Sequence, residues 1–204
     1  MRPMRRCMKS RGGDDILKGD RSIYFVSGNR GKYNEVARIA ETFGLRLKWI
    51  RRAKREIQSD NLREIARRAA KDLSDEIGLP VVAEDSGFFV DALGGFPGPY
   101  SAYVHRTIGT DGILRLLRSV TLRDACFKAA VAFCEPSSHP ISFSGTIEGT
   151  VSIQSKGNHG FGFDPIFVPN GGHGRTFAEM NTSEKNSFSH RSKAFSKLFN
   201  SLTK

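Results

Sequence analysis

Residues 23–32 read Ile-Tyr-Phe-Val-Ser-Gly-Asn-Arg-Gly-Lys, and the fold turns on how they are parsed. Ile23, Tyr24, Phe25 and Val26 make a short apolar strand. The next six residues form a turn, and a helix starts at once. Val36, Ile39, Ala40 and Phe43 recur on it at three- and four-residue spacing, and Gly44 stops it. A strand delivered into a helix by a Gly-x-x-Gly-Lys turn opens an α/β unit. The first N–H groups of such a helix point outward and favour an anion, and Lys32 adds a charge. Two residues separate the glycines and Tyr33 follows the lysine, so this is not the P-loop pattern. Alone, the segment fits a plain strand-to-helix connection as well as a phosphate loop.

Downstream, Leu45, Leu47 and Trp49 alternate with basic residues as a half-exposed strand does. Asn61 caps a helix running to Ile77, with Glu64 placed for a capping box and an apolar stripe of Leu62, Ile65, Ala66, Ala69 and Leu73. Gly78 and Pro80 end it. Residues 81–83 read as a buried strand, 88–93 as a second extended piece, and 94–99 as a stiff turning loop. Residues 101–118 are helical with a break near Gly109. Two long strands, 125–134 and 141–153, are joined by a turn, and a C-terminal helix carries Phe195, Leu198, Phe199 and Leu202. Early strand–helix alternation followed by a late meander predicts an α/β fold with a mixed sheet.

The chain has 204 residues, enough to bury roughly 70% of its unfolded surface without disulfides or metals. It contains no run of ~18 apolar residues, which excludes a membrane-spanning helix. Cys7, Cys126 and Cys134 include no CxxC pair, and free thiols point to a reducing, cytoplasmic compartment. The five histidines have no zinc-ligand spacing. Lys and Arg number 32 against 21 Asp and Glu, a net charge of +11, and the excess lies in residues 1–21 and 46–71. Such a surface attracts polyanions, either nucleic acid or phosphorylated small molecules, and also simply keeps a protein soluble. Residues 1–20 have no apolar periodicity and lack the apolar core of a secretory signal, so we expect a basic, disordered extension ahead of a single α/β domain over 21–204.

Three further segments carry chemistry. Glu84, Asp85 and Ser86 follow the buried strand, at the end where open α/β sheets bind ligands. Paired acids there are costly unless they meet a cation, and strand alternation sends Glu84 and Asp85 to opposite faces with different roles. Glu56, ahead of the basic helix, can add an oxygen ligand, and hard oxygens suit Mg²⁺. An exposed acidic turn is the alternative. Phe161, Gly162, Phe163 and Asp164 form an aromatic–glycine loop able to stack a flat base and accept a hydrogen bond from a ring N–H, or else a corner of the core. Lys185 and His190 are five residues apart, about 140° around one helix. They can converge only if the helix breaks near residues 187–189, with Ser189 capping a fresh one. A solvated basic helix is the alternative there.

Taken in order, S-G-N-R-G-K, A-E-D-S-G, A-L-G-G-F-P-G-P-Y-S, G-F-G-F-D-P-I-F and F-A-E-M-x-x-x-E-K-N-x-x-S-H-R resemble the inosine triphosphate pyrophosphatase family, from about residue 22 to 202. The resemblance implies an elongated α/β structure with a long twisted mixed sheet and a central nucleotide-binding cleft. It also implies a homodimer and Mg²⁺-dependent hydrolysis of ITP, dITP and XTP to the monophosphate and pyrophosphate. By the same resemblance, Ser27, Gly28, Asn29, Arg30, Gly31 and Lys32 hold phosphate, and Glu56 and Asp85 hold the metal. Asp85 also accepts the proton, and Ser86 lies beside it. Phe161, Gly162, Phe163 and Asp164 bind the base, Lys185, His190 and Arg191 close the site, and Arg68 adds a cation from the second helix. Lys32, Arg68 and Lys185 are expected to offset phosphate charge, and Arg191 or a backbone N–H to meet the 6-oxo group. Two rivals remain at this stage: a same-fold enzyme for pyrimidine or modified nucleotides, and a nucleic-acid-binding protein. No recognisable reader motif favours the latter, and no specific nucleic acid or membrane partner is expected.

Overall fold

The computed structural model describes residues 22–53 and 57–203. The expected N-terminal extension, together with Glu56, lies outside the described residues. The chain runs β1 (Ser22–Val26), α1 (Arg30–Thr42), β2 (Arg46–Ile50), α2 (Leu62–Ile77), β3 (Val81–Val90), β4 (Pro97–Gly98), α3 (Ser101–Thr107), α4 (Gly109–Leu116), β5 (Asp124–Cys134), β6 (Ile141–Val151), β7 (Phe167–Pro169), α5 (Thr182–Asn186) and α6 (His190–Leu202). One seven-stranded sheet has the order β2-β1-β3-β5-β6-β7, with β4 paired to β3. The β1 strand pairs in parallel with β2 and β3, while β3, β5, β6 and β7 pair antiparallel. This is the expected mixed sheet flanked by helices.

Apolar residues on both faces of the central strands bring helices to both sides. Helices α1 and α6 cover one face through Val36, Ile39, Phe195 and Phe199, against Phe25, Val82 and Val131. Helix α2 covers the other through Leu62, Ala66, Ala69 and Ala70, against Ala83, Ala130 and Ala132. Alanines on both surfaces let this helix lie close to the sheet. A third cluster, rich in phenylalanine, packs Phe88, Phe127, Phe163, Phe167 and Phe177 under α3 and α4.

The two extended pieces expected at 81–83 and 88–93 are one strand, Val81–Val90, followed by a 3₁₀ turn at Asp91–Leu93. Glu, Asp and Gly are poor strand formers, which suggested an interruption. The pairing partner overrides them, because β5 meets all ten residues of β3, from Val81↔Cys134 to Val90↔Ala125. The last long strand also stops at Val151 rather than 153. Asn61 does cap α2, but Glu64 does not reach back to it directly. Ser59 Oγ accepts the Asn61 N–H and donates to Glu64 Oε2, so the box is closed through a serine.

At the C-terminus, α5 ends at Asn186, and Ser189 caps α6 by accepting the Ser192 N–H, which is the expected break. The first turn of α6 lies directly on β6. A Cβ at Gly145 would sit 2.2 Å from the His190 carbonyl oxygen and 2.7 Å from the Ala194 nitrogen. Both are backbone atoms, so Gly145→Ala must lift the start of α6. We expect it to cost about 1–3 kcal/mol in urea unfolding.

Candidate active site

The site forms where the sheet is locally incomplete. The β1–β3 ladder covers only Tyr24↔Val81 and Phe25↔Val82, and β4 rejoins the same side of β3 at Phe88 and Phe89. Between them, residues 83–87 have no strand on that side among the described residues. The chain leaving β1 turns away into α1 at this point. Asn29 caps the helix by accepting the Lys32 N–H at 3.1 Å, and Ser27 Oγ accepts the Asn29 N–H at 3.1 Å. Trp49 donates to the Ser27 carbonyl at 2.8 Å and stacks on Tyr33, fixing the turn from behind.

Six charged side chains from five elements form a line along the cleft. Lys32 Nζ is 2.8 Å from Glu84 Oε2. Glu84 Oε1 accepts from Arg191 Nε and Nη2 at 3.2 and 3.1 Å, and Nη2 also donates to Ser86 Oγ at 3.1 Å. The other face of the Arg191 guanidinium pairs with Glu35. Lys185 Nζ joins Glu35 Oε1 at 2.7 Å to Asp164 Oδ2 at 2.6 Å. Three cations face three carboxylates, nearly all of them buried. Burial opposes ionisation of Glu35, but Arg191 and Lys185 outweigh it and hold the carboxyl below the usual carboxylate range. Burial likewise opposes charge on Lys185 and Arg191, and their carboxylate partners raise both. Burial, with Glu35 nearby, raises Asp164, against the pull of Lys185 and the Phe161 N–H.

Aromatic rings complete the walls. Phe161 is half-buried under the Lys185 ammonium and the Arg191 guanidinium, 5.0 and 5.5 Å away. Its ring presses on Gly31, where a Cβ would come within 2.5 Å of it, so the phosphate-type loop and the aromatic loop touch through a glycine. Phe163 points the other way and is 1% exposed, stacked on Phe88. His190 stacks on Phe127 at 4.9 Å, and neither of its ring nitrogens has a hydrogen-bond partner among the described residues. Buried polar atoms without partners are rare and call for a ligand or a water.

Burial, and then the charges of Arg191 and Lys185, push His190 well below its ordinary value of 6.5, so the folded state holds it neutral. The unfolded chain binds the proton first as pH falls. The stability from neutral His190 is therefore complete above 6.5 and drains away below it, at up to about 1.4 kcal/mol per pH unit. Urea unfolding at pH 7.5, 6.5 and 5.5 should show the decline, and His190→Asn should flatten it.

Together Asn29, Lys32, Ser86, Phe161, Gly162, Phe163, Asp164, Lys185, His190 and Arg191 line one cleft of about 340 Å³. Ser27 is buried beneath it, and Gly28 and Arg30 are exposed on the adjoining loop. Asp85 is 6% exposed on the opposite, α2, face of β3, paired with Ala130. Arg68 lies on the exposed face of α2, bound to Asp72 at 2.9 Å, and does not line the cleft. The sequence reading missed Glu35, Ser101, His105 and Phe127. Glu35 carried a signal, as an acid in phase with the apolar stripe of Val36, Ile39 and Ala40. Ser101 is a latch rather than a ligand, accepting the Phe88 N–H and donating to the Gly98 carbonyl.

The model of the Ham1 family matches residues 23–201. A dITP/XTP pyrophosphatase of Methanopyrus kandleri is 45% identical over 176 residues, spanning 86% of this chain and 93% of its own. One from Thermococcus kodakarensis is 44% identical over 180 residues, 88% and 96% of the two chains. Among solved structures, a HAM1 protein from Coxiella burnetii superposes with a TM-score of 0.77 at 30% identity, over 89% of this chain and 98% of its own.

Proposed function

The chain belongs to the Ham1 family, and from that premise we propose that it is a nucleoside triphosphate pyrophosphatase. It hydrolyses ITP, dITP and XTP to the monophosphate and pyrophosphate. Adjacent residues of β3 carry the proposal. Ser86 faces a cleft of base-binding size, and Asp85 puts a buried carboxylate on the other face, at a stretch of strand edge without a strand neighbour among the described residues. A nucleotide laid across that edge has its base in the cleft and its phosphates at the loop of residues 27–32 and Asp85.

The chemistry follows from that pose. Water attacks the α-phosphorus and gives its proton to the Asp85 carboxylate. The α–β phosphoanhydride breaks, and pyrophosphate leaves with the bridging oxygen. Asp85 suits Mg²⁺, which binds one or two protein carboxylates and otherwise water and phosphate. Glu56 is the second expected carboxylate. When bound, the ion supplies charge neutralisation at the phosphate oxygens.

Arg191 and a backbone N–H are the donors expected at the 6-oxo group, and we assign that place to a neighbouring side chain. Arg191 is committed to Glu35, Glu84 and Ser86. His190 lines the cleft neutral and without polar partners among the described residues, and its N–H can meet a 6-oxo group. Adenine's 6-amino group would set donor against donor. Sites built this way discriminate by roughly 10⁴-fold.

The active form is a cytoplasmic homodimer. Phe96, Tyr100 and Tyr103 are 41%, 46% and 60% exposed around α3, an apolar surface for a second copy, and sedimentation should give twice the monomer mass. The function is tested by pyrophosphate release from ITP, XTP, dITP, GTP, ATP and pyrimidine triphosphates, with Mg²⁺ and with EDTA. ITP and XTP should dominate and EDTA should abolish turnover. Preference for ATP or a pyrimidine nucleotide would overturn the assignment.

A further inference from the structure

A triphosphate brings about four negative charges, and among the described residues the cations that line the cleft are already paired with carboxylates. Lys32, Arg191 and Lys185 are matched by Glu84, Glu35 and Asp164. Arg30 on the adjoining loop can meet part of the phosphate charge, and a further cation lies on the other face of the sheet. On the α2 face of β3, the face that carries Asp85, lies a second groove of about 530 Å³ that the mechanism above leaves unused.

Lys128 of β5 stands in this groove. It is exposed, and its ammonium lies 4.7 Å from the ring centroid of Phe89. No carboxylate lies within salt-bridge distance of it among the described residues. The register places it: Asp85 opposes Ala130 and Gly87 opposes Lys128, so Lys128 is the diagonal neighbour of Asp85 on the same face. Such neighbours are about 7–8 Å apart, a gap one phosphate group can bridge. Gly87 carries no side chain there, and the Gly98 carbonyl and the Phe89 ring lie over it. Arg63, anchored on Ser142, lines the groove as well, against a single acidic lining residue among the described residues, Asp60.

We propose that Lys128 is a phosphate-contacting residue, and that the groove beside it holds the pyrophosphate portion of the substrate. This rests on the pyrophosphatase reading and adds to it a subsite for the leaving group. The cleft holds the base on one face of β3, and Lys128 holds the far phosphates on the other.

The test is calorimetric titration of inorganic pyrophosphate, with Mg²⁺, into the intact protein and into Lys128→Met and Lys128→Arg. Lys128→Met should melt like the parent, bind pyrophosphate at least tenfold more weakly and raise KM for ITP. Inosine monophosphate should bind all three proteins alike, and Lys128→Arg should retain most pyrophosphate affinity. Equal pyrophosphate binding by Lys128→Met, or a parallel loss of monophosphate binding, overturns the subsite. If ITP is hydrolysed and Lys128 makes no difference, the subsite falls alone. If pyrophosphate binding depends on Lys128 but no triphosphate is turned over, the enzymatic reading falls and the anion site stands.

Discussion

Asp85→Asn should give a protein that folds and melts like the parent but turns over ITP roughly 10²–10⁴-fold more slowly, the usual contribution of a positioned proton acceptor. Asparagine keeps the shape of the side chain, and the β3 backbone is held by its ladder to β5. What disappears is the anionic oxygen that takes the proton and suits the metal. Glu84→Gln is the informative contrast, because the neighbouring carboxylate faces the other way and ties Lys32 to Arg191. That change should lower thermal stability. Near-normal turnover in Asp85→Asn would remove Asp85 from the chemistry.

Arg191→Leu should be the most destabilising single substitution in the site. The guanidinium is 1% exposed and holds Glu35, Glu84 and Ser86 at once. Without it, two buried carboxylates each lose a cation, with Lys185 still beside Glu35 and Lys32 beside Glu84. Removing one partner of a buried ion pair costs about 3–5 kcal/mol. For a chain of this length that lowers the melting temperature by roughly 6–20 °C. Arg191→Lys should recover only part of the loss, since one ammonium cannot reach both carboxylates in the bidentate manner of a guanidinium. A melting temperature unchanged by Arg191→Leu would mean the charge line contributes nothing to the fold.

The parts of the structure legible from the sequence are those set by local geometry. The strand-turn-helix at residues 23–43 was one, since its apolar period changes at Ser27, although the helix starts at Arg30, inside the turn expected at 27–32, where Asn29 caps it. The break before α6 was another, because Lys185 and His190 cannot share a face of one helix. The parts that were not legible depend on distant partners. Residues 84–87 have the composition of a turn and become strand only because β5 pairs with every residue of β3. Phe161 and Phe163 alternate in sequence, but only the packed structure turns one toward the cations and the other toward Phe88. Arg68 looks available until its Asp72 partner, one helical turn on, is recognised. The pairing of the buried cations was hidden for the same reason, since Glu35 lies 156 residues from Arg191 along the chain.

The most direct test is ³¹P NMR of ITP incubated with the protein and Mg²⁺. Cleavage between the α- and β-phosphates predicts inosine monophosphate and inorganic pyrophosphate as the first products, appearing together in equal amounts. Inosine diphosphate with inorganic phosphate would place the attack on the γ-phosphorus and contradict the assignment of Asp85 and the β3 edge to the α-phosphate.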